Sequence, residues 1–529
     1  MKLHIKKYGI ITFALAAAMS FTACTGDLDV TPIDPNLNTP ENSLTNEAAY
    51  TALLAKCYSA LAVSSPDGSS GDPDISGIDG GFGQYLRAYY NVQELPTDEA
   101  VIGWNDQTIK NFHALCWNSS DVFVTAMYYR VIYEVTLCNE VIRRINNSGS
   151  TLTDAAKSQL SAEARCLRAL AYLHAIDLYG NVPFTDENTQ LGGDNPKQIS
   201  RTDLFNWLVT EIDGDNGFAK NLPDAPDNYR CGKGLAYMIM AKLYLNAKVY
   251  TGTAMYDKCA DYCKKVIALG YKLESTSDYF NMFNASNNEF QGVGHEIIFS
   301  VYQDAVNTQA YGGTTYIVNA ECGGKMEYAS LGLGGNGWGG LRVTPQFVNK
   351  FSTSDIRGSK FFTTGQDKEI KDLGTFSEGY AYMKFTNLYK DGTGVNTSFV
   401  SADFPVYRLA DVYLMLAECQ VVGGKSINID GHDGIWFFNQ VRERANAADL
   451  TNVTANDILD ERSRELSWEC HRRSDLVRFN KLTTSDYIWA WKGSLSNADG
   501  NSVDSKYNLY PIPANDLTAN PNLTQNTGY

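Results

Sequence analysis

The sequence predicts a mainly α protein, built of tetratricopeptide-like helix pairs that carry a loop-rich, partly β cap. Three observations lead there. Apolar residues recur at i, i+3, i+4 and i+7 along several stretches, the period of a helix with one buried face. The stretches come in pairs divided by short polar turns, which is how helical repeats cover their apolar faces, although no strict 34-residue self-similarity is present. Between the helical blocks lies 280–400, rich in Gly, Asn, Thr, Tyr and Phe, with ten Gly inside 312–340. That composition reads as loops and short strands laid over a scaffold.

Residues 1–23 come first and do not read as part of the fold. Lys2, Lys6 and Lys7 precede an apolar run over 10–19, and Ala23-Cys24 follows shortly after. This is the pattern of a secretory signal peptide, and the run is too short to serve as a permanent bilayer span. Cys24 behind the small Ala23 resembles a bacterial lipobox, in which the thiol is acylated and becomes the new N-terminus; an ordinary secreted chain cut near the same place is the alternative. Residues 24–45, rich in Pro and Asn toward position 40, read as a lipid-anchored tether. Residues 46–529 are expected as a single domain, with the loop-rich insertion at about 280–400. Helical periods cover 47–63, 121–145, 154–179, 204–212, 234–249, 255–269, 405–421, 434–445 and 455–479. The segments 234–249 and 255–269 pair across a Thr-Gly-Thr turn, and 405–421 pairs with 434–445 across a Gly/Asp-rich loop. The late segment carries Arg462, Arg464, Glu465, Glu469, Arg472 and Arg473, whose mixed signs indicate a salt-bridged helix packed against neighbours. The Pro/Asn-rich residues 507–529 are expected to pack as an extended tail.

Composition narrows the function. The 529 residues hold 44 Lys plus Arg against 60 Asp plus Glu, a formal charge of −16, which argues against a nucleic-acid ligand. With 44 % hydrophobic and 20 % charged residues the chain can bury a full core. Most of the 32 Tyr, 23 Phe and 8 Trp are expected in the core, but so many Tyr raise the prospect of an amphipathic binding face. The eleven Cys include Cys24; the rest show no compact disulfide spacing and read mostly as small buried residues, with pairing open.

Catalytic motifs are mostly missing. Gly332-Leu333-Gly334-Gly335-Asn336-Gly337 matches GxGxxG as a string, but Trp338-Gly339-Gly340 follows it where a dinucleotide site needs a helix. There is no Walker loop and no GxSxG, and His295-Glu296 lacks the second His of a zincin. The six His never stand at i, i+4, so no metal helix is expected, and no cofactor either. Asn428 to Gly434 resembles a calcium loop loosely and is better read as a polar turn before a helix. Glu94, Asp98 and Glu99 lie shortly before Trp104, and paired acids beside an aromatic floor are the chemistry of glycoside hydrolysis. The plainer reading has Thr97 or Asp98 capping a short helix.

Four stretches in order resemble the SusD/RagB family of outer-membrane lipoproteins. They are Cys24-Thr25-Gly26-Asp27-Leu28-Asp29; Ala162-Glu163-Ala164-Arg165-Cys166-Leu167-Arg168 running into Leu178-Tyr179-Gly180-Asn181-Val182-Pro183; Glu461-Arg462-Ser463-Arg464-Glu465-Leu466 with Arg472-Arg473-Ser474-Asp475-Leu476; and Tyr510-Pro511-Ile512-Pro513 ending in Gln525-Asn526-Thr527-Gly528-Tyr529. The resemblance covers essentially the whole mature chain. It implies an α-α superhelix of tetratricopeptide-like pairs, no enzymatic activity, and a cell-surface protein of the outer membrane, lipid-anchored through Cys24. Such a protein captures glycan and delivers it to a SusC-like, TonB-dependent transporter.

The similarity extends toward the family's starch-binding founder. Asp79, Arg87 and Trp104 match its binding segment in kind and spacing, and Tyr311 and Trp338 match its other aromatic positions. The resemblance implies an aromatic arc of Trp104, Tyr311 and Trp338, with Asp79 and Arg87 hydrogen-bonding hydroxyls of a starch-like α-1,4-glucan. A curved set of rings suits the twist of that chain, since apolar sugar faces stack on rings while charged groups orient the hydroxyls. Gln107 stands where the founder has Asn and is the least secure member of the set. Other readings are the same role for a different glycan, a glycoside hydrolase using Glu94, Asp98 or Glu99, and a helical-repeat adaptor that binds only the transporter.

Overall fold

The computed structural model describes residues 40–529 apart from 70 and 191. The expected signal peptide, the lipidation site Cys24 and most of the tether lie outside the described residues. The helices that carry the scaffold are α1 (Glu47–Ala62), α2 (Tyr85–Glu94), α3 (Gln107–His113), α4 (Val122–Asn146), α5 (Asp154–Leu178), α6 (Arg201–Asp213), α7 (Lys233–Leu245) and α8 (Tyr256–Ala268). After them come α9 (Gly313–Glu321), α10 (Leu409–Val421), α11 (Gly434–Arg444), α12 (Ala455–Leu466) and α13 (Arg472–Arg478). Residues Tyr50–Tyr529 cluster as one compact unit.

Local chemistry starts several of these helices. Asp121 accepts the Phe123 amide to open α4, Thr153 accepts the Ala156 amide to open α5, and Ser200 accepts the Asp203 amide to open α6. Thr454 and Asp457 form a reciprocal capping box at α12. Asp433 caps α11 through the Trp436 amide, so the calcium-like string is the polar turn before a helix. Pairing follows the periodicity: α4 packs along α5, α7 along α8, and α10 along α11. Helix α7 also meets α5, α6 and a strand, so most of its side chains are buried, Met238, Ile239 and Met240 among them.

Among the described residues strand is confined to small antiparallel pairs: β1 (Val101–Ile102) with β5 (Leu341–Arg342), β2 (Val182–Pro183) with β3 (Gln198–Ile199), β4 (Ile297–Val301) with β8 (Phe404–Arg408), and β6 (Phe361–Phe362) with β7 (Ala381–Tyr382). Three departures from the sequence reading are instructive. The segment 405–421 opens as strand β8, because Phe-Pro-Val-Tyr-Arg is buried on both faces against β4 and becomes helical only from Leu409. The segment 455–479 is two helices, broken where Trp468 (φ 64°) and Cys470 (φ 65°) take left-handed backbone. Burial of Trp468 and two bonds offset that strain: its Nε1 donates to Glu99 O at 3.3 Å, and the Cys470 amide donates to Glu94 Oε1 at 2.8 Å. The loop-rich region contains α9, a helix of poor intrinsic propensity in which every residue is buried, so tertiary packing overrides composition.

The mixed charges of the late segment do pair, but mainly between elements and inside the core. Arg408 reaches Glu296 at 2.5 Å, Glu465 at 2.9 Å and Glu469 at 2.6 Å; Arg444 joins Glu296 to Glu465; Arg357 joins Asp355, Glu461 and Glu465. Arg462 bridges Asp411 and Asp475, and Arg478 bridges Glu418 and Asp475. Among the described residues the ten cysteines are free thiols, all buried except Cys116.

Candidate functional site

The site is assembled by a sheet whose strands are two residues long. In the β1–β5 ladder Ile102 faces Leu341, and the Gly103 amide donates to Gly340 O at 3.0 Å. Trp104 stands two residues beyond β1 and Trp338 three residues before β5, so the ladder sets side by side two residues 234 positions apart. Their ring centroids are 6.4 Å apart at 47°, and Trp104 Nε1 donates to Trp338 O at 3.4 Å. Tyr311, at the mouth of α9 and 37 % exposed, places its ring 6.1 Å from Trp338 at 63°. The three rings form a bent row in the order Trp104, Trp338, Tyr311.

The glycines around this row answer to close approach. A Cβ on Gly340 would lie 2.5 Å from Cε2 and Nε1 of Trp104, so the indole rests directly on that backbone. A Cβ on Gly337 would lie 2.2 Å from Cys322 O, where the Trp338 loop folds against the end of α9; the Trp338 amide donates to Asn319 O at 2.6 Å. The GxGxxG string is part of the same packing. Gly332 has φ +73° and abuts Asn387 O, and Leu333 bridges Thr397, an arrangement that holds a loop and opens no helix.

Arg87 organises the site from below. It lies in the first turn of α2, where Gln84 accepts its amide at 2.8 Å. One guanidinium nitrogen donates both to Gly81 O and to Tyr311 O, each at 2.9 Å, which ties the 79–83 turn to the Tyr311 loop. The guanidinium carbon is 4.4 Å from the Tyr316 ring centroid, 5.8 Å from Trp104 and 6.0 Å from Trp338. Burial lowers its pKa, while the neighbouring Tyr316, Asp79 and Asp106 favour the cation. Asp79 is exposed and uses Oδ1 to accept the Gly81 and Phe82 amides at 2.8 and 3.1 Å. Gln107 opens α3, is exposed, and donates from Nε2 to Asn111 Oδ1 at 2.9 Å.

Arg87, Trp104 and Gln107 line one open groove of about 530 Å³, within the range of ligand clefts. Tyr311 and Trp338 adjoin it through the ring row. Asp79 does not share that groove: it lines a neighbouring recess of about 180 Å³, on the other side of Phe82. Two aromatic residues that the motifs did not single out also belong here. Phe399 continues the row, its ring 5.7 Å from Tyr311 at 36°, and Tyr316 lies beneath Trp104 at 6.3 Å and under Arg87. Tyr316 lies within the Tyr311 segment, whereas nothing in the local sequence marks Phe399.

The acidic trio has a different fate. Glu94, Asp98 and Glu99 are 0 %, 0 % and 1 % exposed, and none lines the groove. No helix starts at Thr97 or Asp98, so the capping expectation fails: Thr97 Oγ1 donates back to Glu94 O at 2.6 Å, and Asp98 receives the Arg472 guanidinium at 2.7 and 2.8 Å. Against the push of burial, Arg472 and Lys350 hold Asp98 far below the usual carboxylate range. Burial drives Glu99 up to about 7, and burial together with Glu99 raises Glu94 well above its ordinary value. These carboxyls are buried against Arg472 of α13 and stand apart from the groove. His113 is sealed too: its Nε2 accepts the Ile102 amide at 2.9 Å, which pins β1 to α3, and burial lowers its pKa to about 4.

A sequence profile of the SusD family matches residues 364–529. The starch-binding protein SusD of Bacteroides thetaiotaomicron is 32 % identical over 571 aligned positions, covering 98 % of each chain. A SusD-like protein of Bacteroides ovatus is 25 % identical, covering 87 % of each. Among solved structures, a SusD superfamily protein of Bacteroides thetaiotaomicron superposes with a TM-score of 0.69 at 19 % identity, covering 91 % of this chain and 99 % of that one. Surface glycan-binding protein A of the same organism, in complex with laminarihexaose, gives 0.67 at 18 %, covering 91 % and 100 %. The structural likenesses establish the mainly helical architecture, and with 32 % identity to the starch-binding protein along 98 % of both chains, the protein belongs to the SusD family.

Proposed function

We propose that this chain is a non-catalytic cell-surface lipoprotein that captures starch-like α-1,4-glucan and passes it to a SusC-like, TonB-dependent outer-membrane transporter. The observation that carries the reading is the bent row of Trp104, Trp338 and Tyr311 beside an open groove, with Arg87 beneath it. Sugar rings offer an apolar face to such a row and hydroxyls to the charged and amide groups at its margin. Asp79, Arg87, Trp104, Gln107, Tyr311 and Trp338 are the proposed glycan-binding residues. The full-length relationship to a starch-binding protein supports the choice of α-glucan. Cys24 is the proposed acylation site, with 1–23 removed and 24–45 as the tether that holds the single domain 46–529 at the membrane. No described helix is long and apolar enough to cross a membrane, so a lipid on Cys24 would supply the attachment.

Calorimetric titration with maltoheptaose tests the reading, with cellulose-type and fructan oligomers as controls. Binding is expected in the micromolar to millimolar range, roughly −4 to −8 kcal/mol. Trp104→Ala is expected to weaken it at least about tenfold, which is about 1.4 kcal/mol. Binding confined to another glycan would refute the α-glucan assignment, and release of reducing ends would refute the non-catalytic one. Silence across the panel would leave only an adaptor for the transporter.

A further inference from the structure

The recess that contains Asp79 has no part in the aromatic row, yet it has the surface chemistry of a sugar site. It lies between the 77–82 turn, the start of α4 and the short helix that opens at Ala514. Its wall is firmly joined: the Ala514 amide donates to Ser119 O at 2.9 Å, and Tyr128 Oη donates to Asp516 at 2.5 Å. Apolar surface comes from Ile78, Phe82 and Val122, the last 46 % exposed at the very start of α4. Polar groups face it unspent. The hydroxyls of Ser119 and Ser120 and the side-chain amide of Asn515 make no hydrogen bond with the described residues, and Asp79 keeps Oδ2 free of protein partners. Phe82, Ser120 and Val122 line both this recess and the larger groove, so the two hollows meet along one ridge.

We infer that the recess is a second glycan subsite, which takes the units of an α-glucan chain that run past the aromatic row and over the Phe82–Val122 ridge. The inference rests on the proposed glycan function and extends it. In this arrangement Asp79, next to Arg87 at the margin of the row, also serves the subsite: Oδ1 shapes the turn and Oδ2 accepts a sugar hydroxyl, while Ser119, Ser120 and Asn515 supply neutral donors and acceptors. Val122 gives the crossing chain an apolar support. Neutral hydroxyl and amide groups around a single carboxylate match an uncharged polyol better than a phosphate or an acidic sugar, which the carboxylate would repel. A chain long enough to reach both hollows therefore binds more tightly than one that fills only the row.

The experiment is calorimetry of maltotriose and of a linear maltooligosaccharide of ten or so units, on the wild-type protein and on two variants that change the recess alone. Thr125→Trp fills it from α4, and Asn515→Ala removes its amide. In the wild type the long oligomer is expected to bind about tenfold more tightly than the short one, the yield of one or two added hydrogen bonds to a charged or amide group. Both variants should bind maltotriose within about twofold of wild type, and the long oligomer should lose most of its advantage, about fivefold or more. Equal affinity for the two lengths in the wild type, or an advantage that survives both variants, overturns the inference while the row remains a glycan site. Failure of both oligomers to bind the wild type would strike the glycan function itself. Because Asn515→Ala only truncates an exposed side chain, the test survives if Thr125→Trp does not fold.

Discussion

A single side chain, Arg87, ties together the two loops that hold the binding surface in shape. In Arg87→Met the stem volume is nearly kept, but the donations to Gly81 O and Tyr311 O and the cation over the Tyr316 ring are lost. Hydrogen bonds from a charged donor contribute about 1.5–3 kcal/mol each, and a partly desolvated cation–π contact about 1–2 kcal/mol. Both carbonyls lie near the surface and would recover part of this from water, so a net loss of about 3 kcal/mol is a fair expectation. For about 490 residues, an unfolding entropy of about 2.1 cal/mol/K per residue amounts to roughly 1 kcal/mol/K, so the melting temperature should fall by about 3 °C. The larger effect should be on binding. With the Tyr311 loop untied, the row must be ordered by the ligand, and affinity for maltoheptaose should drop at least about tenfold. Arg87→Lys keeps the charge over Tyr316 but has no planar fork, and should fall between the two. Scanning calorimetry and titration on the three proteins decide the matter. An unchanged melting temperature together with unchanged affinity in Arg87→Met would refute the view that this guanidinium organises the row.

Other expectations follow from the same contacts. In Gly340→Ala the new methyl would overlap the Trp104 indole, so glycan affinity should fall about as far as in Trp104→Ala while circular dichroism stays that of the wild type; full affinity would mean that the ring sits elsewhere in solution. Arg408→Met strips the common partner from Glu296, Glu465 and Glu469 and should cost about 3–5 kcal/mol, read as a fall of a few degrees in melting temperature with no change in the affinity of the folded protein. His113 is held neutral, with its pKa lowered from 6.5 to about 4 by burial, so between those values the unfolded chain takes up a proton that the folded one refuses. Its contribution is therefore complete above pH 6.5 and fades as the pH falls toward 4, by on the order of 3 kcal/mol. Melting curves of wild type and His113→Gln should accordingly converge as the pH is lowered from 7 to 4.5, and a gap that stays constant would show that His113 does not titrate in this way.

The late charged segment shows why sequence pattern and structure diverge in kind. Alternating Arg and Glu over 461–473 reads as a salt-bridged helix packed against neighbours, because a helix brings i and i+4 together and nothing local names a more distant partner. The structure spends the charges of Arg462 and Arg472 on Asp411 and Asp98, and those of Glu461 and Glu465 on Arg357, Arg408 and Arg444, partners up to several hundred positions away. Their partners are supplied by the fold, and the same fold buries Glu94, Asp98 and Glu99 away from the groove. The acids look available in sequence only because Arg472, their countercharge, is far along the chain.

Helices α4, α5, α7, α8 and α11 were readable to within a few residues, because periodicity, caps and short turns are local and point the same way. Trp104, Trp338 and Tyr311 could be named from their segments through family likeness, and so could Arg87. What no segment contained is their adjacency. It depends on a two-residue ladder between β1 and β5, on glycines that let an indole lie on the backbone, and on one guanidinium that reaches two loops. Phe399, the recess around Asp79, the breaks at Trp468 and Cys470 and the burial of α9 share that character. Local sequence encodes which faces are apolar and where helices start, whereas long-range packing sets which of those faces meet and what remains open between them.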